Sequence, residues 1–327
     1  MLKTVRFSNV LRLAALLALM APAALVACSG GGGCGSNCTV PAFHTPTPSP
    51  VPTPSPTPSP TPSPSPTPTA TPILSCSQGA SAITLGPALS PFALLAGSTI
   101  TNVGNTLVTF APGAVTGTTN DDLIGVSPGT AVTGFYPPGT DTDGPNAIYA
   151  ATFNNTPAVP LAAENALTTA YNTAAGRATT TAFVGTPDLS QQTVPGFPTG
   201  TLPAGVYKAT SSAAIAAGNL TLDGGGNAQS VFIFQIGSTL TTTLNGTTSG
   251  NVILQNGASA CNIYWQIGSS ATLGGATFFG NVFAYSSITI NASKFTGRAL
   301  AGGPSLGTGA VTIPVAGGSL ITNPGGS

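Results

Sequence analysis

The segment Phe234-Gln235-Ile236-Gly237-Ser238 returns as Trp265-Gln266-Ile267-Gly268-Ser269, its glycine 31 positions further on. A segment that echoes itself at this distance marks a supersecondary unit that stacks on a copy of itself, because one such unit cannot bury its apolar face alone. The surroundings agree. Short apolar runs, among them Val231-Phe232-Ile233-Phe234, Asn251-Val252-Ile253-Leu254, Ile263-Tyr264-Trp265 and Ser287-Ile288-Thr289-Ile290, are separated by Gly, Asn, Asp and Thr. Brief β-branched and aromatic runs between turn formers read as strands. The stretch 76–327 is therefore expected to be an all-β domain of stacked coils, although periodicity alone also fits a sandwich with irregular loops. One segment differs: at about 160–178, Ala163, Ala166, Leu167, Ala170 and Ala174 recur at helical spacing. Pro160 suits a first turn, and Gly176 with Arg177 suits an end. Glu164 is expected to favour the dipole at the start of this helix, and the small Ala-lined face is expected to pack closely along the outside of the sheets.

The front of the chain has another character. Residues 1–27 read as a signal peptide, with Lys3 and Arg6 ahead of an apolar run that Pro22 interrupts. That run ends Leu25-Val26-Ala27-Cys28, which matches a lipobox, so Cys28 is expected to carry lipid. Ser29 is not an inner-membrane retention signal, and the outer membrane is the expected destination. Residues 28–75 form a Gly-rich tether and a Pro/Ser/Thr-rich stalk. Alternating proline excludes helix and ladder and favours polyproline II, so residues 45–72 could span roughly 85 Å. In an oxidising compartment the remaining cysteines are expected to pair as Cys34 with Cys38 in the tether and Cys76 with Cys261 in the domain.

Charge narrows the function classes. Only 4% of the chain is charged, and three of its seven basic residues (Lys3, Arg6, Arg12) lie in the signal region, leaving four against seven acids. No clustered Lys and Arg are present to meet phosphates, which argues against nucleic acid. One His (His44) and one Glu (Glu164) are thin material for general acid–base chemistry, so no enzyme and no cofactor are expected. A metal held by Cys34, Cys38 and His44 would lack a fourth ligand. Asp141-Thr142-Asp143-Gly144 begins like a calcium loop but lacks the later ligands and closing Glu, and reads better as a turn. Asp121-Asp122 has no Lys, Arg or His beside it to support glycosidase chemistry. Gln235 and Gln266 are expected to hydrogen-bond between coils, and Trp265 to lie in the core.

Several segments, taken together and in order, resemble the bacterial and fungal ice-binding-like family. They are Leu85-Gly86 through Phe92 to Asn102, Ile124-Gly125-Val126-Ser127-Pro128-Gly129, Leu202-Pro203-Ala204-Gly205-Val206-Tyr207, Val231 to Ser238, Ala260 to Leu273, and Asn291 to Leu300. The resemblance implies a discontinuous right-handed parallel β-helix, a solenoid with one long α-helix alongside. It also implies adsorption to ice through a flat Thr/Ser face, and the lipobox and stalk add the expectation of a monomer anchored to the cell envelope and facing outward. Strand alternation supplies candidates for that face: Thr239, Thr241 and Thr243 around inward Leu240 and Leu244, Ser270 and Thr272 beside Ala271 and Leu273, and Thr289 between Ile288 and Ile290. Thr221 between Leu220 and Leu222, Thr312 between Val311 and Ile313, and Thr99 with Thr101 flanking Ile100 complete the set. The competing function is a surface adhesin or structural protein that binds polysaccharide or other cells, for which a groove of exposed aromatics would be the sign.

Overall fold

The computed structural model describes residues 76–111, 121–243, 248–303 and 308–325. The signal region, Cys28, the stalk, the Cys34–Cys38 pair, His44 and Leu244 lie outside them. The described chain is a parallel β-solenoid with three sheets, and every pairing between named strands is parallel. The echo seen in the sequence is one coil lying on the next: Phe234 pairs Trp265, Gln235 pairs Gln266 and Ile236 pairs Ile267.

The three faces differ in what covers them. On the first, strands such as Phe92–Ala96, Phe232–Ile236 and Ile263–Ile267 are buried at every position, as expected for a sheet covered on both sides. Their inward residues join the interior, where Tyr207, Phe234 and Trp265 stack in series, with Phe234 and Trp265 4.0 Å apart. Their outward residues, Leu95, Ile233, Tyr264, Phe283 and Leu300, form a second core with a long helix. That helix is Ala158–Ala175, and it buries Ala163, Leu167, Ala170 and Ala174. It starts two residues before the expected boundary because Pro157 already stands at its cap. It ends at Ala175, where the side-chain amide of Gln235 donates to the carbonyls of Ala174, Ala175 and Arg177. Gln235 thus closes the helix end rather than bridging coils. Glu164 also departs from expectation, since it is fully buried against the sheets and does not lie exposed at the helix start.

The second face is a seven-stranded sheet and the third carries the remaining strands. Chain order and spatial order part company here. The coil 92–110 lies beyond the C-terminal coil: Ile100 pairs Val311 on one side and Val132 on the other. The helix then carries the chain back along the first face, and residues 181–323 build toward the seam.

Two strands, Thr277–Ala284 and Lys294–Ala301, run from the third face onto the first without a loop. The bend falls at the paired Gly280 and Gly297. Gly280 has φ +117°, and a Cβ on Gly297 would lie 1.9 Å from the Gly280 carbonyl oxygen. Past the bend Arg298 is fully buried, its guanidinium donating to the Ser90 carbonyl and to Asn281 Oδ1. Cys76 and Cys261 are joined, 185 residues apart in sequence, as the cysteine pattern suggested. Gly297→Ala is expected to lower unfolding free energy by about 3 kcal/mol, because backbone rather than a flexible side chain must move. Gly317→Ala, in open space, should change it by less than about 0.5 kcal/mol. Urea unfolding of both variants measures the difference.

Candidate functional site: a threonine ladder

In spatial order the second face consists of Ala213–Ile215, Leu240–Thr242, Ala271–Leu273, Ser287–Ile290, Ala310–Ile313, Thr99–Asn102 and Ala131–Thr133. The burial of these strands alternates, as in Ser287–Ile290 and Ala310–Ile313, where each Ile or Val points in and each Thr points out. This face therefore has one side in the core and one in solvent. The strands contain no Asp, Glu, Lys or Arg.

Register turns the outward positions into columns. Thr241 pairs Thr272, Thr272 pairs Thr289, Thr289 pairs Thr312, Thr312 pairs Thr101 and Thr101 pairs Thr133. Six threonines stand in one unbroken line, about 4.8 Å apart from strand to strand, with Ala214 extending it at one end. Neighbouring hydroxyls are within reach: Thr133 Oγ1 lies 3.4 Å from Thr101 Oγ1. A parallel column two residues earlier on each strand contains Ser287, Ala310, Thr99 and Ala131. It also takes in Thr239 and Ser270, and Thr239 donates to Ser212 Oγ at 2.8 Å.

The structure places the expected residues as follows. Thr99, Thr101, Thr239, Thr241, Ser270, Thr272, Thr289 and Thr312 all fall in these two columns. Thr243 belongs to the turn at the edge, its hydroxyl donating to the Ala216 carbonyl at 2.9 Å. Thr221 lies on a different sheet, between Thr201 and Ile253, since the Leu-Thr-Leu alternation that flagged it fits any half-buried strand. Thr133 and Ser287 were not singled out in the sequence. Ala131-Val132-Thr133 and Ser287-Ile288-Thr289 carry the same alternation as their neighbours, and that signal was available. The third face has a shorter threonine line, Thr296 to Thr322 to Thr109. Phe279 precedes it, and Lys294, Leu320 and Leu107 stand in the adjacent column. It lacks the uniformity of the ladder face.

Asp188 bridges Ala214 at one end of the ladder, where its carboxylate accepts from the Ser190, Ala216 and Ala217 amides. The acidic residues of the candidate calcium and glycosidase motifs lie elsewhere. Asp141-Thr142-Asp143-Gly144 is a turn, closed by the Gly144 amide on the Asp141 carbonyl at 3.1 Å. Asp122 is buried and accepts from the Thr142 hydroxyl. Burial, with Asp143 nearby, pushes its pKa up to about 7 against the bond from Thr142. Asp141 is raised to about 8, first by burial and then by the charge of Asp122. Burial alone raises Glu164 to about 8, and neither of its oxygens has a hydrogen-bond partner.

Comparison with known proteins gives a consistent picture. The ice-binding-like family profile matches residues 94–314. An ice-binding protein from Nostoc sp. (strain HG1) is 38% identical over 228 residues, covering 69% of this chain and 71% of its own length. The crystal structure of an ice-binding protein from an Antarctic Biological Consortium superposes with TM-score 0.57 and 36% identity, covering 75% of this chain and 93% of its own. That of the Antarctic ascomycete Antarctomyces psychrotrophicus does so with TM-score 0.56 and 31% identity, covering 73% and 98%.

The three raised carboxyls set a pH dependence. Each binds its proton more tightly folded than unfolded, so its full stability is present below the ordinary carboxylate pKa and is lost as pH rises toward the folded value. Between about pH 5 and pH 9 the domain is expected to become less stable. Glu164→Gln should remove about 1–3 kcal/mol of that decline, read from urea midpoints at the two ends. An unchanged slope would show that Glu164 is ionised in the fold.

Proposed function

The chain belongs to the ice-binding-like family, and from that premise we propose that its seven-stranded face adsorbs to ice, held out from the cell envelope by the N-terminal stalk. The observation that carries this reading is the unbroken line Thr241–Thr272–Thr289–Thr312–Thr101–Thr133. Each threonine offers a hydroxyl that can hold a water and a methyl that leaves neighbouring waters to bond one another. Bridging waters are nearly as good as direct hydrogen bonds, and ordering them costs least where the surface is already rigid. The ladder side chains are short and β-branched, so their rotamers are limited before anything binds. The seven strands carry no charged side chain to orient water otherwise, and the carboxylate that adjoins them, Asp188 beside Ala214, is engaged by the Ala216 and Ala217 amides.

The point where the chain joins the domain suits display. Ser77 and Gly79 bond to Asn262, and Gln229 reaches Ser77. These contacts lie at the corner where the third face turns onto the first, across the solenoid from the ladder. The described chain therefore enters the domain at a corner that does not border the ladder. Cys28 acylation would supply the anchor, and several chains on one residue bind far more firmly than one.

Thr289→Tyr, at the middle of the ladder, is expected to reduce thermal hysteresis and recrystallisation inhibition by about tenfold or more with the fold unchanged, since one bulky ring lifts the plane off several waters. Thr221→Tyr should leave both unchanged. Full activity in Thr289→Tyr would move the site to another face, and an inactive wild type would favour a non-ice adhesin. Cys28→Ser is expected to release the protein from the membrane fraction, as seen by fractionation of expressing cells.

A further inference from the structure

Any pull transmitted by the stalk reaches the domain at Cys76. From there residues 76–91 form a strap that begins at the corner opposite the ladder and continues beside the helix Ala158–Ala175, where Ile83, Leu85 and Leu89 are buried in the second core. Its fastenings come in order along the chain: Asn262 Nδ2 donates to the Ser77 carbonyl at 2.8 Å, and the Gly79 amide donates to Asn262 Oδ1 at 3.1 Å. Arg177 then donates to the Ala82 carbonyl at 3.2 Å. Last, the Ser90 carbonyl accepts from Arg298 Nε at 2.9 Å and from Asn323 Nδ2 at 3.2 Å. The strap leads directly into Phe92–Ala96, the strand paired to Lys294–Ala301 on one side and Leu123–Val126 on the other. Loaded at its free end, the strap is peeled in sequence, the bonds at Ser77 and Gly79 first and the buried Ile83, Leu85 and Leu89 after them. The next piece in line is the coil 92–110, whose removal would divide the ladder between Thr312 and Thr133.

We propose that the Cys76–Cys261 disulfide is a mechanical clamp that carries stalk tension past the strap and into the centre of the stack. Cys261 lies in the turn Ala260–Asn262, which opens directly into Ile263–Ile267. That strand is paired on both sides, to Phe232–Ile236 and to Thr277–Ala284, and carries Trp265 of the aromatic stack. Tension entering there is spread across neighbouring coils, and the strap and the seam bear none of it. The bridge stands at the first residue of the strap, the one position at which a crosslink shields all of it. The proposal rests on tethering through the N-terminus and not on what the ladder binds.

The test is single-molecule pulling on the full chain carrying Lys3→Arg and Lys208→Arg. One handle is placed on Lys294, exposed on a strand paired on both sides, and the other on the N-terminal amine or the C-terminal carboxyl. Circular dichroism and thermal hysteresis of the unloaded Cys76→Ser/Cys261→Ser variant establish its fold and, separately, its ice activity. Pulled from the N-terminus, this variant is expected to open first at about twofold lower force than wild type, releasing roughly 50 Å of strap before the coil follows. Pulled from the C-terminus, the two proteins should rupture alike. Equal first-rupture forces and lengths in the N-terminal geometry would overturn the clamp. Equal weakening in both geometries would also overturn it, because it would reduce the bridge to general stabilisation.

Discussion

The pairing of the coil 92–110 with both of its neighbours is the constraint on which the rest of the domain depends. Ile100 contacts Val311 and Val132 in register, and Val108 contacts Ile321 and Asp141. The contacts with Val311 and Ile321 join segments more than two hundred residues apart, so their loop-closure cost must be met by burial along the whole stack. They also oblige the chain to return to the far end of the solenoid before it can build the other coils. The helix Ala158–Ala175 makes that return, and in doing so covers the outward apolar residues of the first face. One topological requirement therefore accounts for both the discontinuity and the second core.

With the first face covered by the helix, the surface is left with two sheets of unlike character. The third face carries exposed Leu107, Ile253 and Leu320 and the strands that bend at Gly280 and Gly297. The ladder face has strands of three or four residues, and none of the described strands crosses onto it from another face. Short strands that each bury alternate positions hold one register across all seven, and a one-residue slip would place Ile288, Val311 and Ile100 in water. The regular outward column is thus a consequence of the core packing beneath it, and threonine at these positions meets the demands of a strand and of a water-facing plane together.

Much of this was legible in the sequence. The echo around Gly237 and Gly268 identified the stacked coils, the alanine spacing located the helix to within a few residues, and alternation chose eight residues that fall in the two outward columns. What alternation does not carry is the coil on which each strand sits. Successive ladder threonines are 31, 17 and 23 residues apart from Thr241 to Thr312, because some coils turn through loops and others bend at a glycine. With no constant period, Thr221 looks the same as Thr272 although it lies on a different sheet. Glu164 misled for a related reason: a carboxylate near a helix start suits the dipole, but only the packing of residues 158–175 against the sheets shows that this position faces inward.

The placement of residues 76–91 follows from the same architecture. Of the three corners, two border the ladder face, and a chain leaving from either would crowd its edge. The corner between the third and first faces is the one removed from it, and there the turns at Gln229 and Asn262 receive Ser77 and Gly79. Gly79 shows how close the fit is: a Cβ there would lie 2.1 Å from the Gln229 carbonyl oxygen, so the strap presses backbone to backbone against the coil turns. A chain held this closely could not be shifted toward the ladder without losing the fastenings at Asn262 and Arg298. The corner that secures residues 76–91 is therefore the one that does not border the threonine plane.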